Sequence, residues 1–403
     1  MNLQQPQQQD FASLRTFVRI FTKDGVTDRA SYRLWLKKQG NEERMASLFG
    51  YRRVGEMPRV TALLAPYFHK DLPLIGLNYS PVAHNTLHAF PDGWTPALRL
   101  CRGLILHTDG SVVAVPFPKF FNYGEHPETI DPRSSDERSF YAREPKDEPF
   151  ELTEKMDGHL GIIFSYDGKL HLATRQSFHG PTAVLGGEML AAIAKKNGWA
   201  TKFSPHLTLL VEIIHPKTRV HVNYGRTKRF VLIGAYCRDR STLLDCPYAE
   251  LLVIGKRLGL RVAERWTGTS IKDLRKRMKD MSVRNHEGCV AFYPAAGIRV
   301  KHKFASYIGL MVEAKLSYGY LMKRMLSGNL ERMLATLAEE IRPKADLMVR
   351  AIRRASRFKD EKKRREFLYA LDTERQKNQH YRGICRAYLK GIVAMPKRRA
   401  AAA

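Results

Sequence analysis

The stretch ELTEKMDGHLGIIF, residues 151–164, has the apolar runs of a β-strand but holds Lys155 and Asp157 beside Gly158 in its middle. Residues two apart in a strand face the same way, so the lysine and the carboxylate are expected to point into one space. Gly158 would let a ligand approach the backbone closely. A lysine acts as a nucleophile only after losing its proton, which burial or neighbouring cations favour. The stretch therefore predicts a strand that carries a reactive lysine.

Short β-rich runs separated by turn residues surround this strand, from Ile75 to Tyr307. Asp109-Gly110 and Asp167-Gly168 are each predicted to turn a β-hairpin. Further strands are predicted where apolar and β-branched residues cluster, at residues 207–216, 229–239, 286–293 and 298–304. Residues 248–260 have apolar residues at helical spacing and predict a helix between strands.

The flanking segments have a different pattern, with apolar residues at helical spacing and basic faces between them. We therefore expect an α+β protein of three parts. Residues 1–70 form a mostly helical lead-in whose first ten residues are disordered, residues 71–312 form the mixed domain, and residues 313–403 form a basic, all-helical domain predicted to bind RNA. The mixed domain should hold largely antiparallel sheets with flanking helices.

The chain is strongly basic, with 68 Lys and Arg against 40 Asp and Glu among 403 residues, a formal charge of +28. Such an excess favours a polyanionic partner, most simply a nucleic acid, although a basic protein without one is the alternative. No apolar run approaches the ~20 residues of a membrane span, and the first residues lack the pattern of a signal peptide. Five scattered cysteines without metal-ligand spacing favour a reduced cytoplasm.

Two further stretches carry charge where a strand is predicted. IRVKHKF, residues 298–304, would place Arg299, Lys301 and Lys303 on one face, where they could bind a polyphosphate or simply line a solvated sheet edge. Glu212 lies inside the apolar run LTLLVEII, where a buried carboxylate needs a cation, a metal or a hydroxyl. A structural salt bridge is the alternative for Glu212.

The order of these features resembles the motif set of the covalent nucleotidyltransferases, which include DNA ligases, RNA ligases and mRNA capping enzymes. The set consists of a Lys-x-Asp-Gly strand, a glutamate in an apolar strand, a Glu-Gly pair and a Lys-x-Lys strand. Upstream, LRLCRGLILHTDG and PFPKFFNYGE resemble the T-even phage RNA ligase 1 family. The resemblance implies an ATP-grasp-like ligase core with an appended helical domain. His159 and Thr218 depart from that family's usual serine and asparagine.

The resemblance also implies a role for each matching residue. Lys155 would be the nucleophile that carries AMP, with Asp157, Glu287, Lys301 and Lys303 as the other catalytic residues. The positions implied to bind the nucleotide are Arg102, Lys119, Phe121, Gly158, Arg175, Glu212, Gly288 and Tyr307. Glu212 and Glu287 are the candidates for holding Mg²⁺ or Mn²⁺.

The function that follows from the resemblance is an ATP-dependent RNA ligase in RNA repair. It would join a 5′-phosphate end to a 3′-hydroxyl end through a lysyl-AMP and an adenylylated RNA. tRNA is the inherited candidate substrate, and the ends would be prepared by a separate kinase and phosphatase, in a bacterial or phage-infected cytoplasm. The alternatives are a DNA ligase, a capping guanylyltransferase, and a non-catalytic RNA-binding protein on a ligase scaffold.

Overall fold

A computed structural model of the chain describes residues 8–87, 90, 93–123, 150–238, 243–266, 270–280, 282–283, 285–294, 297–335, 342–373, 375 and 379–394. The chain divides into two compact units. The first consists of residues 1–274 and 285–303, and the second of residues 275–284 and 304–403.

Helices open the first unit, as the apolar spacing predicts. They are α1 (Gln8–Lys23), α2 (Arg29–Leu36) and α3 (Asn41–Leu48). Phe17 packs edge-on against Phe21, Trp35 and Phe49, with ring centroids 4.9 to 6.1 Å apart. The expected disordered start is wrong for residues 8–10, which form the first turn of α1, while residues 1–7 lie outside the described residues.

A four-stranded antiparallel sheet follows and shares one hydrophobic core with α1 to α3. Its strands, in spatial order, are β1 (Tyr67–Phe68), β2 (Leu74–Asn78), β3 (Arg102–His107) and β4 (Val112–Ala114). Two short helices lie between β2 and β3, α4 (Pro81–Thr86) and α5 (Pro96–Leu100). The predicted hairpin at Asp109-Gly110 is confirmed, because β3 and β4 pair antiparallel across it.

The second sheet of this unit has six strands, five of them in the order β11-β10-β9-β7-β8, with β12 paired to β10. They are β7 (His159–Tyr166), β8 (Lys169–Thr174), β9 (Leu207–Ile214), β10 (Arg229–Arg238), β11 (Leu243–Asp245) and β12 (Arg261–Val262). The helices that accompany it are α6 (Pro181–Asn197), α7 (Trp199–Lys202) and α8 (Tyr248–Leu258). The predicted hairpin at Asp167-Gly168 is confirmed, and so is the helix predicted at residues 248–260, which is α8.

The third sheet carries most of the charged strands that the sequence singles out. Its order is β13-β6-β14-β15-β5, with strands β5 (Phe121–Asn122), β6 (Glu151–Lys155), β13 (Arg265–Trp266), β14 (Gly288–Tyr293) and β15 (Ile298–Lys303). All neighbours are antiparallel except β5 and β15. Because β15 lies between β14 and β5, the alternative that its cations line a sheet edge is wrong.

Every described element after Lys303 is a helix, and the second unit has a hydrophobic core of its own. These helices are α10 (Ala305–Lys315), α11 (Tyr318–Leu326), α12 (Leu330–Ala335), α13 (Arg342–Ala355), α14 (Glu361–Ala370) and α15 (Gln379–Ala394). One earlier helix, α9 (Ile271–Met278), carries the boundary at residue 274 between the units. None of the described helices is both long and apolar enough to cross a bilayer. The α+β class with an all-helical end is confirmed, and the division at residues 70 and 312 stays a prediction.

The third sheet leaves no room for a side chain at Gly288, because a Cβ there would lie 1.9 Å from the carbonyl oxygen of His302 on β15. Gly288→Ala should therefore force β14 and β15 apart and lower the free energy of unfolding by more than about 3 kcal/mol. Chemical denaturation monitored by circular dichroism measures this change.

The matched control is Gly187→Ala, at a position in α6 where a Cβ meets nothing within 4 Å. Alanine is the better helix former, so this variant should be stabilised by about 0.5–1 kcal/mol. Equal stability changes in the two variants would contradict the close approach of β14 and β15.

Candidate active site

The centre of the site is one carboxylate held between two lysines. Glu287 is only 4% exposed, and its Oε2 lies 2.6 Å from Lys155 Nζ while its Oε1 lies 3.0 Å from Lys303 Nζ. Strand register produces this arrangement, since Gly288 pairs with Lys155 on β6 and with Lys303 on β15. Burying a carboxylate is costly unless cations compensate for it. The two lysines therefore contact Glu287 because they compensate the charge of its buried carboxylate.

Two further rows of side chains lie behind these lysines on the same face of the sheet. One row contains Thr153, Val290 and Lys301, and the next contains Glu151, Phe292 and Arg299. Alternation along the three strands brings all six into one pocket of about 750 Å³. That volume lies within the range of ~300–1,000 Å³ typical of small-molecule sites.

The cations of β15 share this face, as alternation predicts, but each has a partner. Lys301 Nζ donates to the carbonyl oxygen of Phe120 at 2.9 Å. Arg299 forms an ion pair with Asp245 and lies over the Phe292 ring, 4.2 Å from its centroid. Lys303 pairs with Glu287 as described above. The charge of Arg299 is therefore largely neutralised by Asp245. Lys301 and Lys303 are the cations of β15 that can contact a ligand.

The opposite wall of the pocket comes from the six-stranded sheet. Glu212 on β9 pairs in register with Leu160 on β7, and Gly158 precedes that strand. A Cβ on Gly158 would lie 2.6 Å from the carbonyl oxygen of Ile213 and 3.0 Å from Glu212 Cγ, so only glycine fits beside the glutamate. Burial raises the pKa of Glu212 to about 7, although the nearby Lys155 acts to lower it. The site thus contains a carboxyl group that changes charge near neutral pH.

A cluster of arginines lies at the same pocket, around the hydroxyl of Tyr79. Arg175 Nη1 donates to Tyr79 Oη at 2.7 Å. Arg102 has two buried nitrogens, Nε and Nη1, without a hydrogen-bond partner in the described structure. Buried guanidinium groups need acceptors, so these two donors point to an anionic ligand. Among the predicted residues, Arg102 and Arg175 are thus brought together with Lys155 and Glu212 as lining of one pocket.

Seven predicted residues do not line the pocket. Four of them belong to the segments beside it, namely Asp157, Glu287, Gly288 and Lys303, and the other three lie elsewhere. Lys119 is 3% exposed and packs its ammonium group 4.6 Å from the ring centroid of Phe121 and 5.5 Å from that of Trp94. Phe121 is fully buried, and neither it nor Lys119 is among the described residues that line the pocket. Tyr307 lies in α10 of the second unit, where it is 2% exposed. Their nucleotide contacts stay predictions.

The expectation that Lys155 and Asp157 share one strand face is wrong. β6 ends at Lys155, so strand alternation does not reach Asp157. The Asp157 carboxylate instead accepts the backbone N–H groups of His221, at 2.8 Å, and Val222, at 2.6 Å. Asp157 is 5% exposed, and it fixes the segment between β9 and β10 beside the lysine.

Sequence reasoning missed the middle of the pocket wall. Thr153, Val290 and Phe292 line it on the face that the lysines define. Each lies an even number of residues from Lys155 or Gly288 on the same strand, so counting by two from the motif residues would have found them. Asp245 could not be found this way, because it reaches Arg299 from a strand of the other sheet.

Lys155, Glu212 and Lys301 line one pocket, and Glu287 beside it contacts both Lys155 and Lys303. The family model described as RNA ligase, of the phage T4 RNA ligase 1 type, matches residues 100–306, about half of the chain. The chain belongs to this RNA ligase family. The expected family and fold class are thereby confirmed.

Individual relatives match over shorter segments. RNA ligase 1 of bacteriophage TS2126 is 32% identical over 34% of this chain and 34% of its own length. A candidate RNA ligase of Thermovibrio ammonificans is 32% identical over 41% of each chain. The chain thus spans less than half the length of these curated relatives.

Solved structures resemble the chain only at a low level. An archaeal ATP-dependent RNA ligase has a TM-score of 0.41 at 12% identity, covering 82% of this chain and 73% of its own. An RNA ligase of Naegleria gruberi solved with pyrophosphate has a TM-score of 0.33 at 18% identity, covering 40% of this chain and 50% of its own.

The raised pKa of Glu212 makes stability depend on pH. Between its ordinary value of 4.5 and about 7, the folded chain keeps a proton there that the unfolded chain has lost. Stability contributed by this group therefore falls as pH rises through that window. Glu212→Gln removes this pH dependence. The free energy of unfolding of the variant minus that of wild type should therefore be about 1–3 kcal/mol larger at pH 8 than at pH 5. Denaturant unfolding at both pH values measures it.

The control is Glu366→Gln on the exposed surface of α14. Its stability difference from wild type should be the same at pH 5 and pH 8. A Glu212→Gln variant that behaves like this control would show that the Glu212 carboxyl is not held in a desolvated site.

Proposed function

We propose that this chain is an ATP-dependent RNA ligase, which joins 5′-phosphate and 3′-hydroxyl RNA ends through a lysyl-AMP and an adenylylated RNA. The observation that carries the proposal is Lys155, at the rim of a nucleotide-sized pocket, in contact with a buried carboxylate that also binds Lys303. Membership of the RNA ligase family supports the same reaction class.

In the first step, Lys155 Nζ attacks the α-phosphorus of ATP. Before the attack, the Lys155 ammonium passes one proton to the Glu287 carboxylate 2.6 Å away, which frees the nitrogen lone pair. The amine then forms the P–N bond, the P–O bond to pyrophosphate breaks, and the nitrogen releases its second proton to water. Lys301 and Lys303, on β15 across the intervening strand β14, stabilise the negative charge that develops on the phosphorus oxygens. Arg102 and Arg175 are suited to bind the departing phosphates, because Arg102 has buried donors to offer.

The acidic residues present fit a divalent cation that ATP brings with it. Within the described residues, no group of three His, Cys, Asp or Glu side chains could hold a metal ion by itself. Mg²⁺ usually needs only one or two carboxylates in addition to phosphates and water. Glu212 and Glu287 would supply them, and the ion would neutralise charge on the phosphates.

In the later steps, AMP moves from Lys155 to the 5′-phosphate of an RNA, and a 3′-hydroxyl then displaces AMP to form a phosphodiester. The net charge of +28 supports an RNA substrate. We propose tRNA as the physiological substrate and a separate kinase and phosphatase as suppliers of its ends, in accord with the family resemblance. The five cysteines, all free, support a cytoplasmic location.

Lys155→Ala tests the proposal because the first two steps need the amine and the final joining step does not. The variant should lose joining of 5′-phosphate RNA in the presence of ATP and Mg²⁺ by more than about 1,000-fold. It should retain joining when the RNA carries a preformed 5′–5′ adenylate. Gel analysis of labelled RNA measures both reactions.

The substrate set also separates the alternatives. Wild type should join single-stranded RNA and a cleaved anticodon stem-loop when it is given ATP. It should join poorly when GTP replaces ATP or when nicked DNA replaces these RNAs. Equal activity of Lys155→Ala and wild type on 5′-phosphate RNA would contradict the proposal and favour a non-catalytic role. Activity with GTP alone would favour a capping enzyme.

A further inference from the structure

The segment between β9 and β10, residues 216–228, is a strongly basic loop that the proposed chemistry does not use. Lys217, Arg219, Arg226 and Lys228 are all exposed, and no Asp or Glu occurs between Glu212 and residue 239. We call these four cations, with the backbone that carries them, the basic loop.

Within the part of the chain that the structure describes, no ion pair or hydrogen bond reaches the side chains of the four cations of the basic loop, unlike those of Lys303 and Arg299. Burial, and then the nearby ammonium groups of Lys228 and Lys217, lower the pKa of His215 at the base of the loop. The two ends of the basic loop therefore concentrate positive charge at one place.

The basic loop is held rigidly, and the residues that hold it belong to the candidate active site. Asp157, two residues after Lys155, accepts two backbone N–H groups of the loop and donates its own N–H to Tyr224 Oη at 2.9 Å. Asn285, two residues before Glu287, accepts the N–H of Asn223 at 2.6 Å and donates to its carbonyl oxygen at 2.8 Å. Both anchors are therefore neighbours of residues that form the central ion pairs.

We infer that the basic loop binds the sugar-phosphate backbone of the RNA strand whose end is being joined, an inference that rests on the proposed function. Exposed, unpaired cations on a fixed backbone lose little conformational freedom when they bind phosphates, and they release counterions from the RNA. Because the loop is fastened on both sides of the lysine site, an RNA bound there has its end beside Lys155. The loop thus positions a polyanion and does not take part in bond making.

ATP is the other source of phosphate that could occupy the basic loop, and the separate steps of the reaction distinguish the two. The test uses the variant Lys217→Gln/Arg219→Gln/Arg226→Gln/Lys228→Gln. Its matched control removes four exposed cations from the lead-in of the same unit, as Arg29→Gln/Arg33→Gln/Lys37→Gln/Lys38→Gln. A milder variant, Lys217→Gln/Arg219→Gln, serves if the fourfold loop variant unfolds.

Lysyl-AMP formation with ATP alone should be the same in wild type, loop variant and control. The Kd for a single-stranded 5′-phosphate RNA of about 20 nucleotides should rise at least 10-fold in the loop variant alone. The slope of log affinity against log salt should fall by about 3 for four lost contacts. AMP transfer to subsaturating RNA should slow by a similar factor.

A loop variant with the same salt slope and transfer rate as the control would overturn the inference, while RNA joining by wild type would leave the proposed function intact. Slower lysyl-AMP formation in the loop variant would assign the cations to ATP and overturn it as well. If wild type forms lysyl-AMP but never transfers it to RNA, the proposed function fails, and the salt slope of RNA binding still decides whether the basic loop holds RNA.

Discussion

The contact of one buried carboxylate with two lysines is the constraint on which the rest of the site depends. Glu287, 4% exposed, must be compensated, and Lys155 and Lys303 approach it from the strands on either side. This requires β6, β14 and β15 to be adjacent and in the observed register, and it requires glycine at position 288, where the backbone of β15 leaves no room for a Cβ. The contacts that place Lys155 and Lys303 at Glu287 thus also depend on the register of β6, β14 and β15.

The protein distributes its positive charge in two ways. At the pocket, Arg299 contacts Asp245, and Lys155 contacts Glu287, which lies beside the pocket and also holds Lys303. Such pairing allows cations to be buried before a ligand arrives, and a polyphosphate can then take over part of the pairing. In the basic loop the cations are exposed and lack partners within the described residues, which suits a flexible polyanion that binds from solvent. Asp157 and Asn285 connect the two regions through backbone hydrogen bonds.

Much of this architecture is predictable from local patterns, because hairpins and alternation are local. The turns at Asp109-Gly110 and Asp167-Gly168 are examples, and so is the common face of Lys301 and Lys303. Long-range geometry was not predictable. Asp157 follows the last residue of β6 and leaves the strand pattern, and Lys119 lies against aromatic rings that include one from a separate segment. The partner of Arg299 comes from another sheet, which no spacing along the chain indicates.

The central claim is that one particular amine becomes linked to AMP. It is tested most directly by incubating the purified full-length chain with ATP and Mg²⁺ and mapping the modified peptide by mass spectrometry. The account predicts a mass increase of a single AMP, located on Lys155 and labile in acid. AMP on any other residue, or an unmodified chain in a preparation that joins RNA, would contradict it.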